Sequence, residues 1–71
     1  IIFMDIRMPL MNGYDATREI RKVNNRTKII ALTANAIKEE RERCMEAGMN
    51  DYLTKPVTFE DFRKTLGKYR L

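Results

Sequence analysis

Three polar residues close three apolar runs in this chain: Asp5 ends "IIFMD", Thr33 ends "KIIALT" and Lys55 ends "DYLTK". A carboxylate, a hydroxyl and an ammonium form a set suited to phosphoryl transfer. The carboxylate is ionised at neutral pH and is a nucleophile, while the cation and the hydroxyl hold anionic oxygens. Taken singly, each residue has a plain structural account. Asp5 can bond its own loop, Thr33 can fill a strand end, and Lys55 can be a solvated charge before a turn. The chemistry requires that the three meet.

The elements around them predict that they do. "IIFMD" is followed by a Pro/Asn/Gly loop and by "GYDATREIRKV", where Ala16, Ile20 and Val23 recur on one helical face. In the loop, Pro9 after Met8 fixes φ, and Gly13 permits either a positive φ or a close backbone approach. "KIIALT" leads to a helix over "AIKEERERCMEA" with Asn35 as its N-cap, Ile37 and Cys44 on one face, and Gly48 at the left-handed position beyond its end. "DYLTK" stops at Pro56. Thr58 and Asp61 then give the start signal of a last helix, on which Phe59, Phe62, Leu66 and Tyr69 share a stripe and Gly67 is a weak point. Three strand-helix units with apolar strands imply an α/β fold: a parallel sheet flanked by helices, joined by right-handed crossovers. Parallel strands all point one way, so Asp5, Thr33 and Lys55 arrive together at the carboxyl edge, where open α/β folds place their sites.

Composition narrows the partners. The 71 residues make one domain at most, and a chain of that size buries only about 60% of its unfolded surface. The net charge of +4 raises nucleic acid as a partner, but the Lys and Arg of "REIRKVNNRTK" and "KEERERC" interleave with Glu around helices. A solvated surface is the better account, and no nucleic-acid partner is expected. No apolar stretch approaches the ~20 residues of a membrane span, so no membrane contact is expected either. The single cysteine, Cys44, offers no disulfide framework and suits a reducing compartment, so the expected location is cytoplasmic. The chain opens on strand residues without an initiator Met or a secretory leader, which leads to the expectation that further residues precede Ile1.

The stretches "MDIRMPLMNGYDATREIR", "IIALTANA" and "AGMNDYLTKP" closely resemble the receiver domains of two-component response regulators, and they span nearly the whole chain. The wording "MDIRMP" and "ALTANA" most resembles receivers of hybrid sensor histidine kinases. The resemblance implies a flavodoxin-like receiver fold, present over residues 1–71 as its third to fifth βα units. By the same resemblance, Asp5 is the phosphoacceptor, charged by a phosphohistidine of a histidine kinase or histidine phosphotransfer domain. Lys55 and Thr33 serve the phosphoryl oxygens beside the Ala34 amide, with self-catalysed phosphotransfer and autodephosphorylation in the intact domain. Arg7 and Asn35 occupy positions that tune dephosphorylation. Thr33 and Tyr52 form the switch pair, and a cis bond precedes Pro56. Mg²⁺ is the implied cofactor, held in part by Asp5 and the Arg7 backbone carbonyl.

One departure matters. The strand-terminal acidic pair that holds magnesium in the family has no counterpart here, since Asp15 lies at a helix start and Asp51 at the beginning of a strand. Metal binding by this chain alone is therefore expected to be weak or absent. This leaves an alternative reading, a phosphorylation-incompetent receiver fragment acting only as a folding or self-assembly unit. Its apolar first strand leads to the further expectation of a homodimer. A haloacid dehalogenase type of enzyme also phosphorylates an Asp after an apolar strand. It requires a second Asp two residues on, where this chain has Arg7, and its general acid has no candidate.

Overall fold

The computed structural model describes residues 1–8 and 10–69, so the role expected of Pro9 lies outside the described residues. Strand β1 (Ile2–Asp5), helix α1 (Gly13–Val23), β2 (Ile29–Thr33), α2 (Lys38–Ala47), β3 (Asp51–Thr54) and α3 (Phe59–Lys68) follow in order. The sheet is parallel, with the order β1-β2-β3. Ile2 is opposite Ile29 and Asp5 opposite Leu32, while Ile30 is opposite Asp51 and Thr33 opposite Thr54. The expected α/β architecture and its three units are therefore present.

Alternation along the strands divides the core between two faces. Met4, Ile29 and Ala31 pack with Ile6, Cys44 and Met49 beneath α1 and α2, and Ile2, Tyr14, Ala16, Ile20 and Tyr52 close around them. The opposite face carries fully buried Ile30 and the Phe3 ring, which meets Phe62 of α3 edge-on at 4.8 Å between centroids. Ile30 and Ile29 point to opposite faces and both are buried, as a central parallel strand requires.

Helix starts and stops have local causes. Asn12 caps α1 by accepting the Asp15 amide, and Thr58 with Asp61 forms the expected reciprocal capping box on α3. Gly48 ends α2 at φ 106°, as expected, and the Lys55–Pro56 bond is cis. Helix α2 departs from expectation. It begins at Lys38 with Ile37 in the cap position and no side-chain cap, because the Asn35 backbone is already engaged in a turn with Thr33. Ile37 consequently lies outside the helix and does not share the face of buried Cys44. The acidic first turn, Glu39 and Glu40, complements the helix dipole instead.

Two apolar stripes are also rotated from expectation. Val23 is 89% exposed, and the inward positions of α1 are Gly13, Ala16, Thr17 and Ile20, with Arg21 taking the last turn. The Arg21 guanidinium donates to the Gly48 carbonyl at 2.9 Å and to Asn50 Oδ1 at 2.9 Å, and that oxygen also accepts the Ile29 amide at 2.9 Å. A clasp of this kind turns Val23 outward. On α3, Phe59 is 80% and Leu66 47% exposed, whereas Thr65 is buried. Its orientation is set by Phe62 on Phe3 and by Asp51, which accepts from Lys68 Nζ and the Tyr69 hydroxyl, each at 2.9 Å.

Gly13 resolves its two alternatives in favour of close approach. It does not have positive φ, and a Cβ there would stand 2.6 Å from the Asp5 carbonyl oxygen and 2.8 Å from Ile6 Cα. Both obstacles are backbone. A Cβ at Gly67 would meet nothing within 4 Å. Two Gly→Ala substitutions should thus have opposite signs in urea unfolding: Gly13→Ala destabilises by about 1–3 kcal/mol through overpacking, and Gly67→Ala stabilises by about 0.5–1 kcal/mol through helix propensity.

Candidate functional site

The carboxyl ends of the strands converge as the topology demands. Ladder bonds continue past the strands, with the Ile6 amide donating to the Leu32 carbonyl at 3.3 Å and the Lys55 amide to the Thr33 carbonyl at 2.7 Å. These bonds bring Asp5, beside Ile6, and Lys55 to the edge in register with β2. The Gly13 amide donates to the Ile6 carbonyl at 2.8 Å and fixes the turn beneath Asp5.

Asp5, Ile6, Arg7, Leu32, Thr33, Ala34, Asn35, Glu40 and Lys55 together line one cleft of about 100 Å³. Lys55 Nζ donates to Asp5 Oδ2 at 2.7 Å, and the Arg7 amide donates to Asp5 Oδ1 at 3.0 Å. These two contacts, the lysine first, hold the Asp5 carboxyl below its usual pKa. Both side chains are about two-fifths exposed, Asp5 at 40% and Lys55 at 42%, so the pair contributes little to stability and stays open to an incoming group.

Thr33 is buried at the cleft wall. Its hydroxyl donates toward the Asn35 carbonyl at 3.0 Å and Glu40 Oε1 at 3.3 Å, and it accepts the Asn35 amide at 3.1 Å. The Arg7 and Asn35 side chains belong to exposed residues flanking the opening. Six of the seven site positions singled out in the sequence are thereby brought together. The seventh, Tyr52, is half-buried against the core on the face shared with Ala31, and lies beside Lys38, Arg41, Glu42 and Met45 of α2.

Glu40 was missed. Read as one charge in the solvated "KEERER" surface, it sits in the first turn of α2 and reaches Thr33. The signal lay in its helix position, which becomes legible only once the helix start is placed after Ile37 and not at Asn35.

The donors for a divalent cation are incomplete. Among the described residues no three acidic, His or Cys side chains gather. Asp15 pairs with Arg18 at 3.0 Å, and Asp51 is tied to α3 at the opposite edge of the sheet. Of the donors that the resemblance implies, Asp5 and Arg7 both line the cleft, and magnesium accepts one or two carboxylates while keeping several waters.

The family model for the response regulator receiver domain matches residues 1–67. The sensor histidine kinase RcsC of Escherichia coli strain K12 is 44% identical over 69 residues, which cover 97% of this chain and 7% of that protein. The receiver domain of sensor histidine kinase PA1611 from Pseudomonas aeruginosa, solved with a magnesium ion coordinated in its active-site cleft, is 50% identical with a TM-score of 0.84, over 96% of this chain and 57% of that one. A chain of the Saccharomyces cerevisiae complex between the histidine phosphotransfer protein Ypd1 and the receiver domain of Ssk1 is 30% identical with a TM-score of 0.88, over 96% of this chain and 55% of that one. The chain therefore spans little more than half the length of these solved structures and a small fraction of the kinase.

The ion pair makes a titration prediction. With its pKa lowered in the folded state, Asp5 stays ionised through neutral and mildly acidic pH, and protonates only when pH falls through a value below the usual ~3.9. Its carboxyl carbon, followed by NMR, should titrate below that reference in the unsubstituted protein. Lys55→Ala should move the midpoint upward, and an unmoved midpoint counts against the pair as its cause.

Proposed function

The chain belongs to the response regulator receiver domain family, and on that premise we propose that Asp5 is the phosphoacceptor of a phosphorelay, charged by the phosphohistidine of a histidine kinase or histidine phosphotransfer domain. The observation that carries this reading is the Asp5–Lys55 contact of 2.7 Å in a cleft shared with Thr33. One Asp5 carboxylate oxygen forms the bond to phosphorus. The phosphorus–nitrogen bond of the phosphohistidine breaks, and its electron pair returns to the imidazole. Lys55 follows the transferred oxygens as a point charge, and the Thr33 hydroxyl and Ala34 amide donate to them.

Transfer replaces a carboxylate of charge −1 by a phosphoryl group of about −2 at the same place. Thr33 turns toward that stronger acceptor, and Tyr52, next to α2 on the Thr33 side of the sheet, takes up the space released. Arg7 and Asn35 flank the approach of the water that hydrolyses the acyl phosphate and set its lifetime. Asp5 and the Arg7 carbonyl would hold part of a magnesium shell, and the ion would supply charge neutralisation to the donor and the transferred group. Complexes such as that of Ypd1 with the Ssk1 receiver support a phosphotransfer protein as the partner class. No described helix is long and apolar enough to cross a membrane. The same reading places the domain in the cytoplasm, a reducing compartment that suits the free, buried thiol of Cys44.

The test is direct. Asp5→Asn, in the full protein chain carrying these residues, keeps the shape and removes the anionic nucleophile. Labelling from a phosphohistidine donor or acetyl phosphate should fall to background, and label retained at the unsubstituted rate would overturn the assignment.

A second reading concerns the 71 residues taken alone, as a unit that self-associates and binds magnesium weakly. Strand β1 stands at an edge of the described sheet, Phe59 and Leu66 are exposed on α3, and the acidic donors are too few. An apolar edge strand templates pairing with another chain, most simply as a two-fold dimer. Sedimentation velocity over a range of concentrations should show a dimer of this chain, and magnesium titration should show weak binding. A monomer at every concentration with tight magnesium binding rules this reading out.

A further inference from the structure

Two hydroxyls stand beside the Glu40 carboxylate, that of Thr33, whose proton is contested, and that of Tyr14, which has no well-formed bond. Thr33 has one hydroxyl proton, shared between the Asn35 carbonyl at 3.0 Å and Glu40 Oε1 at 3.3 Å. Beside Glu40, the Tyr14 hydroxyl of α1 is buried, within reach of the Glu40 carboxylate but short of good hydrogen-bond geometry with it or with any other described group. A buried hydroxyl without a partner is costly, and native structures rarely keep one without a use. Burial and then the Glu40 carboxylate raise the Tyr14 pKa, so the group remains a neutral donor facing an anionic acceptor.

Resting on the phosphoacceptor reading, we propose that Glu40 is a positioning residue that exchanges partners: it holds the Thr33 hydroxyl in the resting state and passes to the Tyr14 hydroxyl when an acyl phosphate on Asp5 draws Thr33 across the cleft. When Thr33 leaves, both acceptors lose its proton, and Asn35 belongs to an exposed residue at the opening of the cleft. Glu40 is half-buried, and its lost contact is not so easily replaced. Tyr14 supplies the missing donor, and a hydrogen bond to a charged acceptor is stronger than a neutral one. Because Glu40 lies in the first turn of α2 and Tyr14 in the first turn of α1, the exchange transmits occupancy of Asp5 to the spacing of two helices. Thr33 is thereby restrained before phosphorylation, and α2 is held in a second position after it.

Beryllofluoride with magnesium, an acyl-phosphate mimic, tests the exchange in the full protein chain carrying these residues. Tyr14→Phe removes only the hydroxyl. It should weaken beryllofluoride binding about 10-fold while leaving the urea stability of the resting protein equal or higher, since it deletes an unpartnered group. In a Glu40→Ala background the same substitution should have no effect on beryllofluoride affinity. A purely structural Tyr14 predicts the reverse, a less stable resting state and a loss that persists without Glu40. Either of those results overturns the proposal, as does an unchanged affinity in the single variant. Failure of the underlying reading has a different signature: beryllofluoride then binds neither the unsubstituted protein nor Asp5→Asn, or binds both alike, and the proposal falls with it.

Discussion

Every placement in this molecule depends on β2. It is the one described strand paired on both sides, and its carbonyls receive the residues that follow its neighbours: Leu32 takes the Ile6 amide and Thr33 the Lys55 amide. Side chains separated by 50 positions in sequence, Asp5 and Lys55, meet at 2.7 Å because both strands are registered against the same ladder. A one-residue slip in either pairing would turn the strand's side chains to the other face and dissolve both the core and the ion pair. The apolar residues of β2, buried on both faces, fix that register.

Helix packing divides the molecule into a chemical edge and a structural edge. At the carboxyl edge the polar groups are exposed or shared, the Thr33 hydroxyl has more acceptors than protons, and the Tyr14 hydroxyl has no well-formed bond among the described residues. At the amino edge the polar groups are fully committed. Asn50 accepts from both Ile29 and Arg21, and Asp51 accepts from Lys68, Tyr69 and Tyr52. Burial alone pushes the Asp51 carboxyl up, but its donors hold it below the usual range. Satisfied charges fasten one end, while the other keeps the incomplete bonding that a changing ligand state can use.

Strand identity and the convergence of Asp5, Thr33 and Lys55 were legible in the sequence because continuous apolar runs ending in polar residues have few other solutions. Arg7, Ala34 and Asn35 came from the resemblance to receiver domains, and the structure has them lining the same cleft. The helical faces were less legible. Val23 and Leu66 fit the apolar spacing yet face solvent, since orientation is decided by Arg21 and Asp51 contacts that hydrophobic periodicity does not encode. Asn35 has the composition of a cap, but the Thr33 hydroxyl competes for its backbone two residues away, and the local turn prevails. The misplaced helix start then concealed Glu40 among surface charges.

The Arg21 clasp has a mechanical consequence. It joins the end of α1, the turn after α2 and the start of β2 through Gly48, Asn50 and Ile29, and so ties the far end of α2 to the sheet. The opposite end, beside the cleft, begins without a side-chain cap. Ten residues of helix at ~1.5 Å each make a rigid arm on the order of 15 Å long. Pinned at Gly48, this arm is a lever with its fulcrum at the amino edge. A tilt about that point would displace the first turn most and the clasp least, with Lys38, Arg41 and Met45, which lie beside Tyr52, displaced in graded amounts along the helix.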